Sequence, residues 1–227
     1  MGALCELLRQ ALEYARTHPE EVSEALRGHL GLAGVPLAVG TILGVPIGLW
    51  NARAVLSGGN GLGRTVPAIL LNAITSLRTI PSLAILFVAI PYLGLTAQAA
   101  MVALTLLVLP PIAINTDIAF RTLEPSILEA ARGMGMTPWQ QLRQVELPLA
   151  LPTLVAGVKN ATIEAIASAT LAAFIGAGGF GSFIVLGFAL YDRAILLVGA
   201  VPVALLALVA EVSLSGLQRA ISQKGNS

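Results

Sequence analysis

The chain has 227 residues, 56% hydrophobic and 11% charged, with a formal net charge of +1 and a mean hydropathy of +0.84. Soluble domains run near ~45–50% apolar and ~25% charged, so this composition belongs in a lipid bilayer and excludes an ordinary soluble enzyme. The small charge offers no basic footprint for nucleic acid, and the single cysteine, Cys5, excludes a disulfide framework or a cysteine-rich metal site.

Residues 1–29 hold three Arg and five Glu, with Leu4, Leu7, Leu8, Leu12 and Ala15 at roughly helical spacing. The pattern predicts an amphipathic surface helix broken at His18-Pro19, neither a signal peptide nor a span. His18 and His29 read as helix-surface residues. A span needs about 20 apolar residues to cross ~30 Å of hydrocarbon, and the uncharged stretch Leu30–Trp50 qualifies.

"SGGNGLGRTVP", Ser57–Pro67, imitates the phosphate-binding loop G-x4-G-K-[ST] through Gly58, Gly63, Arg64 and Thr65. A true P-loop joins a strand to a helix and carries a Lys that reaches the terminal phosphates. Here an apolar span stands on either side and Arg replaces Lys, so the stretch reads as a flexible turn ended by Pro67. Thr65–Asn115, interrupted by Arg78 alone, is long enough for two spans with a hairpin at Ile90–Thr96. Pro81, Pro110 and Pro111 within them are candidate helix breaks or gates.

Residues 117–148 are too polar for their surroundings. Pro125 opens a first short helix and Gly135 ends it in the left-handed conformation. Thr137 caps a second, with Pro138 in its first turn, which runs until Pro148 and Pro152 begin the next span. Helix, turn, helix on one membrane face reads as a docking element.

A fourth span, Leu149–Ile175, contains Lys159 and Glu164. "GAGGFG" then places Gly176, Gly178, Gly179 and Gly181 in the dinucleotide-binding spacing G-x-G-x-x-G, but no βαβ unit surrounds it. These glycines read as the end of a span, where the chain turns sharply and backbones approach closely at a dimer or gate contact. A fifth span, Ala194 to about Leu217, leaves a tail at 218–227. The expectation is therefore an all-α polytopic protein of about five transmembrane helices: a surface segment 1–29, a membrane domain 30–217 and a tail. Arg53, Arg64, Arg121, Arg132, Arg143, Arg219 and Lys224 fall on one face, which by the positive-inside rule is cytoplasmic, with the N-terminus outside and the C-terminus inside. No H-E-x-x-H, no G-x-S-x-G and no His beside a nucleophile is present, so no catalytic residue is assigned.

Arg78 and Glu164 lie at a similar depth in the second and fourth spans. Intramembrane charges are costly and normally pair while facing the bundle interior, so the two are expected to approach one another near the pathway, with a Lys159–Glu164 contact as the alternative.

"EAARGMGMTPWQQLRQVELP" resembles the signature of ABC-importer permeases, E-A-A-x3-G-x9-I-x-L-P, at Glu129, Ala130, Ala131, Gly135, Val145, Leu147 and Pro148, with Val in place of Ile. "RTIPSLAIL", "PPIAINT" and "ASATLAAFIGAGGFG" look like the branch that imports glycine betaine, choline and carnitine. The resemblance implies a methionine-importer-like core that works as a dimer with the same or a sister permease. It also implies two separate ATPase subunits, which carry ATP and Mg, and an extracytoplasmic binding protein, in the inner membrane of a prokaryote. No cofactor is expected on this chain. Glu129, Ala130 and Ala131 would then seat the first short helix in a groove of the ATPase. Arg78 stands where the osmoprotectant branch has Gln, Ile114 where it has Arg, and Glu164 where it is apolar. Hence an amino-acid importer is the alternative, and an ion-coupled carrier using Arg78, Lys159 and Glu164 a further one.

Overall fold

The computed structural model describes residues 2–56 and 61–224, and these form helices joined by short connections, with no strand. In chain order they are α1 (Gly2–Thr17), α2 (Pro19–Leu56), α3 (Leu62–Ser76), α4 (Ser82–Leu93), α5 (Ala97–Arg121), α6 (Pro125–Gly133), α7 (Pro138–Gln141), α8 (Leu147–Ala169), α9 (Gly181–Ala189) and α10 (Arg193–Lys224).

Among the described residues, four stretches are long and apolar enough to cross a membrane: Pro19–Leu56, Ala97–Arg121, Pro138–Ala169 and Arg193–Gln223. Leu62–Thr79 and Ser82–Leu93 make a fifth if taken together, bent by 106° at the break between them. Pro81 caps α4 there, two residues after the 3-10 turn Leu77–Thr79. Pro110 and Pro111, also expected as helix breaks, instead lie inside α5, which runs on past both. At ~1.5 Å per residue α2 is about 57 Å long, well beyond the ~30 Å of hydrocarbon. The surface segment and the first span expected at residues 1–29 and 30–50 are thus joined in one helix from Pro19.

Two compact units can be described separately. The first comprises Met1–Val39, Thr79–Val108 and Thr162–Ala210. Its core gathers Ala11 of α1, Ala25 of α2, Phe180 and Phe183 at the start of α9, and Ile195 and Val198 of α10. Tyr14 stands edge-on to Phe183 at 6.2 Å, so α1 is folded back on its own chain along Ala11 and Tyr14 while Leu8 and Leu12 remain exposed. His29, expected on a helix surface, is fully buried. Its Nε2–H donates to the Ile166 carbonyl at 3.1 Å, near the C-terminus of α8, where carbonyls lose their partners within the helix. The ring packs near Phe180, at 5.7 Å. Gly176, Gly178 and Gly179 all have positive φ and carry the chain from the 3-10 turn Leu171–Ile175 into α9, which Gly181 begins. A Cβ on Gly179 would press on the His29 ring at 3.3 Å, whereas one on Gly176 or Gly178 would meet nothing within 4 Å, so of these three only Gly179 lies close against α2.

The second unit comprises Gly40–Arg78, Leu109–Ala161 and Glu211–Ser227. Gly44 and Gly48 of α2, a small-xxx-small pair, lie against Ile112, Ala113 and Thr116 of α5, a close backbone approach that suits helix packing in a medium without a hydrophobic driving force between helices. Leu71 and Ile74 of α3 cluster with Leu109 and Ala113 of α5. Of the glycine-rich stretch, Ser57–Asn60 lie outside the described residues. Gly61 has φ +90 and α3 starts at Leu62, with Thr65 Oγ1 donating back to the Gly61 carbonyl at 2.8 Å. Pro67 therefore sits buried within a helix rather than ending a turn.

Candidate functional site

The loop between α5 and α8 is built by local rules. Pro125 occupies the first turn of α6, where a missing N–H costs nothing. The helix ends in a Schellman motif: Met136 N–H donates to the Ala131 carbonyl at 3.2 Å, Gly135 N–H donates to Arg132 at 2.9 Å, and Gly135 takes φ +77. Thr137 then opens α7 with a capping box, its hydroxyl accepting from Gln140 N–H at 3.3 Å and its own N–H donating to Gln140 Oε1 at 2.9 Å. Four residues, Met134 to Thr137, reverse the chain between the two helices.

The second short helix does not stop before the next span. From Gln141 it widens into a π-helical segment, Leu142–Glu146, where Leu147 N–H donates to the Leu142 carbonyl, and it continues directly as α8. Pro148 has no N–H to return to the Gln144 carbonyl, and the widened turn lies where that donor is missing. Pro148 and Pro152 thus stand inside a continuous helix, not at the start of a separate one.

Exposure divides the signature residues. Glu129 and Ala130 face outward, as do Gly135, Leu147 and Pro148, while Val145 is half-buried. Ala131 is 1% exposed. Expected to face a partner, it instead turns into its own chain, because successive helical residues point about 100° apart and the side of α6 that carries Ala131 is the one packed against the rest of the chain.

Behind the loop is a polar frame that sequence reading missed. Arg53 near the end of α2 pairs with Glu146 at 2.7 Å, and Gln141 Nε2 donates to the other Glu146 oxygen at 3.0 Å. Asp117 of α5, 2% exposed, accepts from Asn51 Nδ2 at 2.8 Å and pairs with Arg121 at 2.5 Å. Two residues of α2 are thereby tied to α5 and to the π-helical segment. A cavity of about 180 Å³ lies among Arg53, Leu56, Phe120, Leu123, Leu128 and Arg132.

Arg78 is exposed in the 3-10 turn Leu77–Thr79, and Glu164 is half-buried on α8. Lys159 reaches across to α10, donating to Glu211 Oε1 and Ser215 Oγ, each at 3.2 Å, while Ser215 donates to the same Glu211 oxygen at 2.9 Å. Glu211 is the lone acid in the apolar stretch 194–217. That was the available signal, since an isolated charge in a span demands a partner.

Residues 44–224, which carry this loop and its frame, match the family described as binding-protein-dependent transport system inner membrane component. The chain belongs to that family. It is a multi-pass inner-membrane transport subunit. Relatives include the glycine betaine/carnitine/choline transport system permease protein OpuCB of Bacillus subtilis, 35% identical over 96% of each chain. Others are a carnitine transport permease of Listeria monocytogenes, 38% identical over 86% of each chain, and the osmoprotectant import permease OsmW of Salmonella typhimurium, 37% identical over 87% of this chain and 90% of that one. Among solved structures, an inward-facing MetNI methionine ABC transporter matches 90% of this chain and 98% of its own, with a TM-score of 0.76 at 25% identity. The family's transport role accords with the expectation of a non-catalytic subunit.

Proposed function

We propose that this chain forms the translocation pathway for an osmoprotectant such as glycine betaine or choline and draws on ATP through a separate ATPase that docks at the α6–α7 loop. Relatives at 33–38% identity over most of the chain, every one quoted above being a permease for such compounds, carry the substrate reading. The methionine transporter matches at lower identity, so it supports the architecture more than an amino-acid substrate. The working unit is a dimer of permease chains with two ATPase subunits, which bear ATP and Mg, and an extracytoplasmic binding protein that delivers substrate. In this reading the N-terminus is outside and the C-terminus inside. Glu129 and Ala130 face the ATPase, Ala131 and Gly135 hold the helix in its reversal, and Val145, Leu147 and Pro148 relay its displacement to α8. Closure of the ATPase pair would move α6 and so rotate the spans.

Proteoliposomes holding the chain with its ATPase and binding protein test this. Labelled glycine betaine or choline should accumulate only with ATP and the binding protein present, and methionine should not compete. Uptake driven by an ion gradient on this chain alone would replace the importer by a secondary carrier, and ATP-driven uptake of methionine in preference to choline would reverse the substrate assignment.

A further inference from the structure

Within the first unit, the start of α2 and the glycine turn before α9 border a cavity of about 350 Å³, in the size range of small-molecule sites. Glu21, Glu24 and Gly28 line one side, on a single stripe of the helix at spacing i, i+3 and i+7. Gly179, Ser182 and Phe183 line the other. The charges in it are unbalanced. No Lys, Arg or His lines the cavity, and among the described residues neither glutamate side chain has an ion-pair or hydrogen-bond partner. Like charges three apart on a helix repel, so two carboxylates on one cavity favour a cation between them. A third acceptor backs the same wall. His29 is fully buried, its Nε2–H is committed to the Ile166 carbonyl, and its Nδ1 has no hydrogen-bond partner. That nitrogen is turned toward Gly179, where a built Cβ would come within 3.3 Å of it. With the hydrogen on Nε2, Nδ1 of the neutral ring is an acceptor.

The walls select which cation. Ca²⁺ and Mg²⁺ take about six or more oxygens, and among the described residues no three His, Cys, Asp or Glu side chains gather to hold a metal. Phe183 and Leu186 instead set apolar surface beside the carboxylates, which suits an ammonium ion clothed in methyl groups better than a bare, strongly hydrated one. The far wall has the opposite sign. α9 begins at Gly181, and its first turn, with Ser182 exposed on the cavity, is the positive end of a nine-residue helix. A carboxylate is favoured there.

We propose that this cavity binds a small zwitterion, its methylated ammonium held by Glu21 and Glu24 and its carboxylate directed at the first turn of α9. Glycine betaine and carnitine have this build; choline, with a hydroxyl in place of the carboxylate, lacks the second pole. The chain thus holds a substrate site of its own, separate from that of the binding protein. In the orientation proposed above, the cavity lies on the outer side, where delivered substrate is first met. That role rests on the proposed function; the binding itself does not.

The test is equilibrium binding of radiolabelled glycine betaine to the full chain in phosphatidylglycerol nanodiscs, with neither binding protein nor ATP. Glu21→Gln and Glu24→Gln should each weaken binding roughly two- to fivefold, the scale of a partly exposed ion pair, and the double variant about tenfold. Glu20→Gln, beside the stripe but outside the cavity, should leave it unchanged. Ser182→Leu, at an exposed position, fills the cavity and should abolish it. Choline should bind roughly two- to fivefold more weakly, the worth of a charge at a helix end, and glycine, without the methyl groups, at least about tenfold more weakly. Equal affinities for glycine and glycine betaine, or undiminished affinity in the double glutamine variant, would overturn the proposal. Phosphatidylcholine nanodiscs separate a free solute from a lipid headgroup of related chemistry. Unchanged affinity there supports the solute site, and loss of binding gives the cavity to the headgroup and overturns the substrate role. ATP-driven uptake with no binding here would overturn this site alone, and binding without such uptake would overturn the importer reading alone.

Discussion

At the level of single residues, two glycines near one another in α6 and its turn separate backbone freedom from packing. Gly133 lies within the helix without positive φ and a Cβ there meets nothing within 4 Å; Gly135 has equally open space but φ +77. Only the second conformation is costly for an L-residue, by about 1–2 kcal/mol. Gly133→Ala should therefore hold or tighten the loop by up to about 0.5–1 kcal/mol, the usual helical gain, and Gly135→Ala should loosen it by about 1 kcal/mol. Hydrogen exchange at the Met136 amide, which closes the Schellman turn, reads both: it should slow or stay constant in the first variant and quicken about fivefold or more in the second. Equal exchange in the two would mean that φ at Gly135 does not hold the turn. The turn chemistry was legible in the sequence because it is local, Pro125, Gly135 and Thr137 each dictating their own backbone. The burial of Ala131 was not, since "AA" does not say which alanine faces inward.

Among elements, the Lys159–Glu211–Ser215 contact joins α8 to α10 within the second unit, with the Lys159 side chain 18% exposed. Removing one member of such a pair leaves the other charge without its partner in an apolar span, where charges are costly and normally paired. Lys159→Met should therefore lower the thermal stability of the purified chain, and adding Glu211→Leu should recover much of the loss. Losses that simply add in this double-mutant cycle would show that the two side chains do not depend on one another. The partner lies 52 positions away in sequence. Reading along a single helix offered Lys159 only Glu164, and only as the alternative to an Arg78–Glu164 approach: periodicity shows which residues share a face, not which neighbouring helix covers it. The same holds for Arg53 and Glu146, separated by 93 positions, and for His29, whose acceptor Ile166 is 137 positions on.

Over the whole molecule, the orientation proposed from the arginine distribution has a built-in reporter, because Cys5 is the single cysteine and is exposed. In intact cells an impermeant thiol reagent should label Cys5, and a cysteine placed at Asp192 in a Cys5→Ser background. Cysteines at Arg64 or Lys224 should react only after the membrane is opened. The reverse pattern would put the α6–α7 loop out of reach of any cytoplasmic ATPase. Composition and hydropathy alone determined that the chain lives in a bilayer, roughly where it crosses and which segment projects from it, because lipid admits only backbone whose hydrogen bonds close locally and a crossing has a fixed length. Helix breaks were harder to read, as Pro81 stands at one while Pro110 and Pro111 do not; a proline's effect depends on whether neighbouring helices and widened turns absorb the missing donor. Only the tertiary structure decided the partners of the buried polar groups, the inward turn of Ala131 and the frame of Arg53, Gln141 and Glu146 behind the loop, since each depends on contacts between segments far apart in the chain.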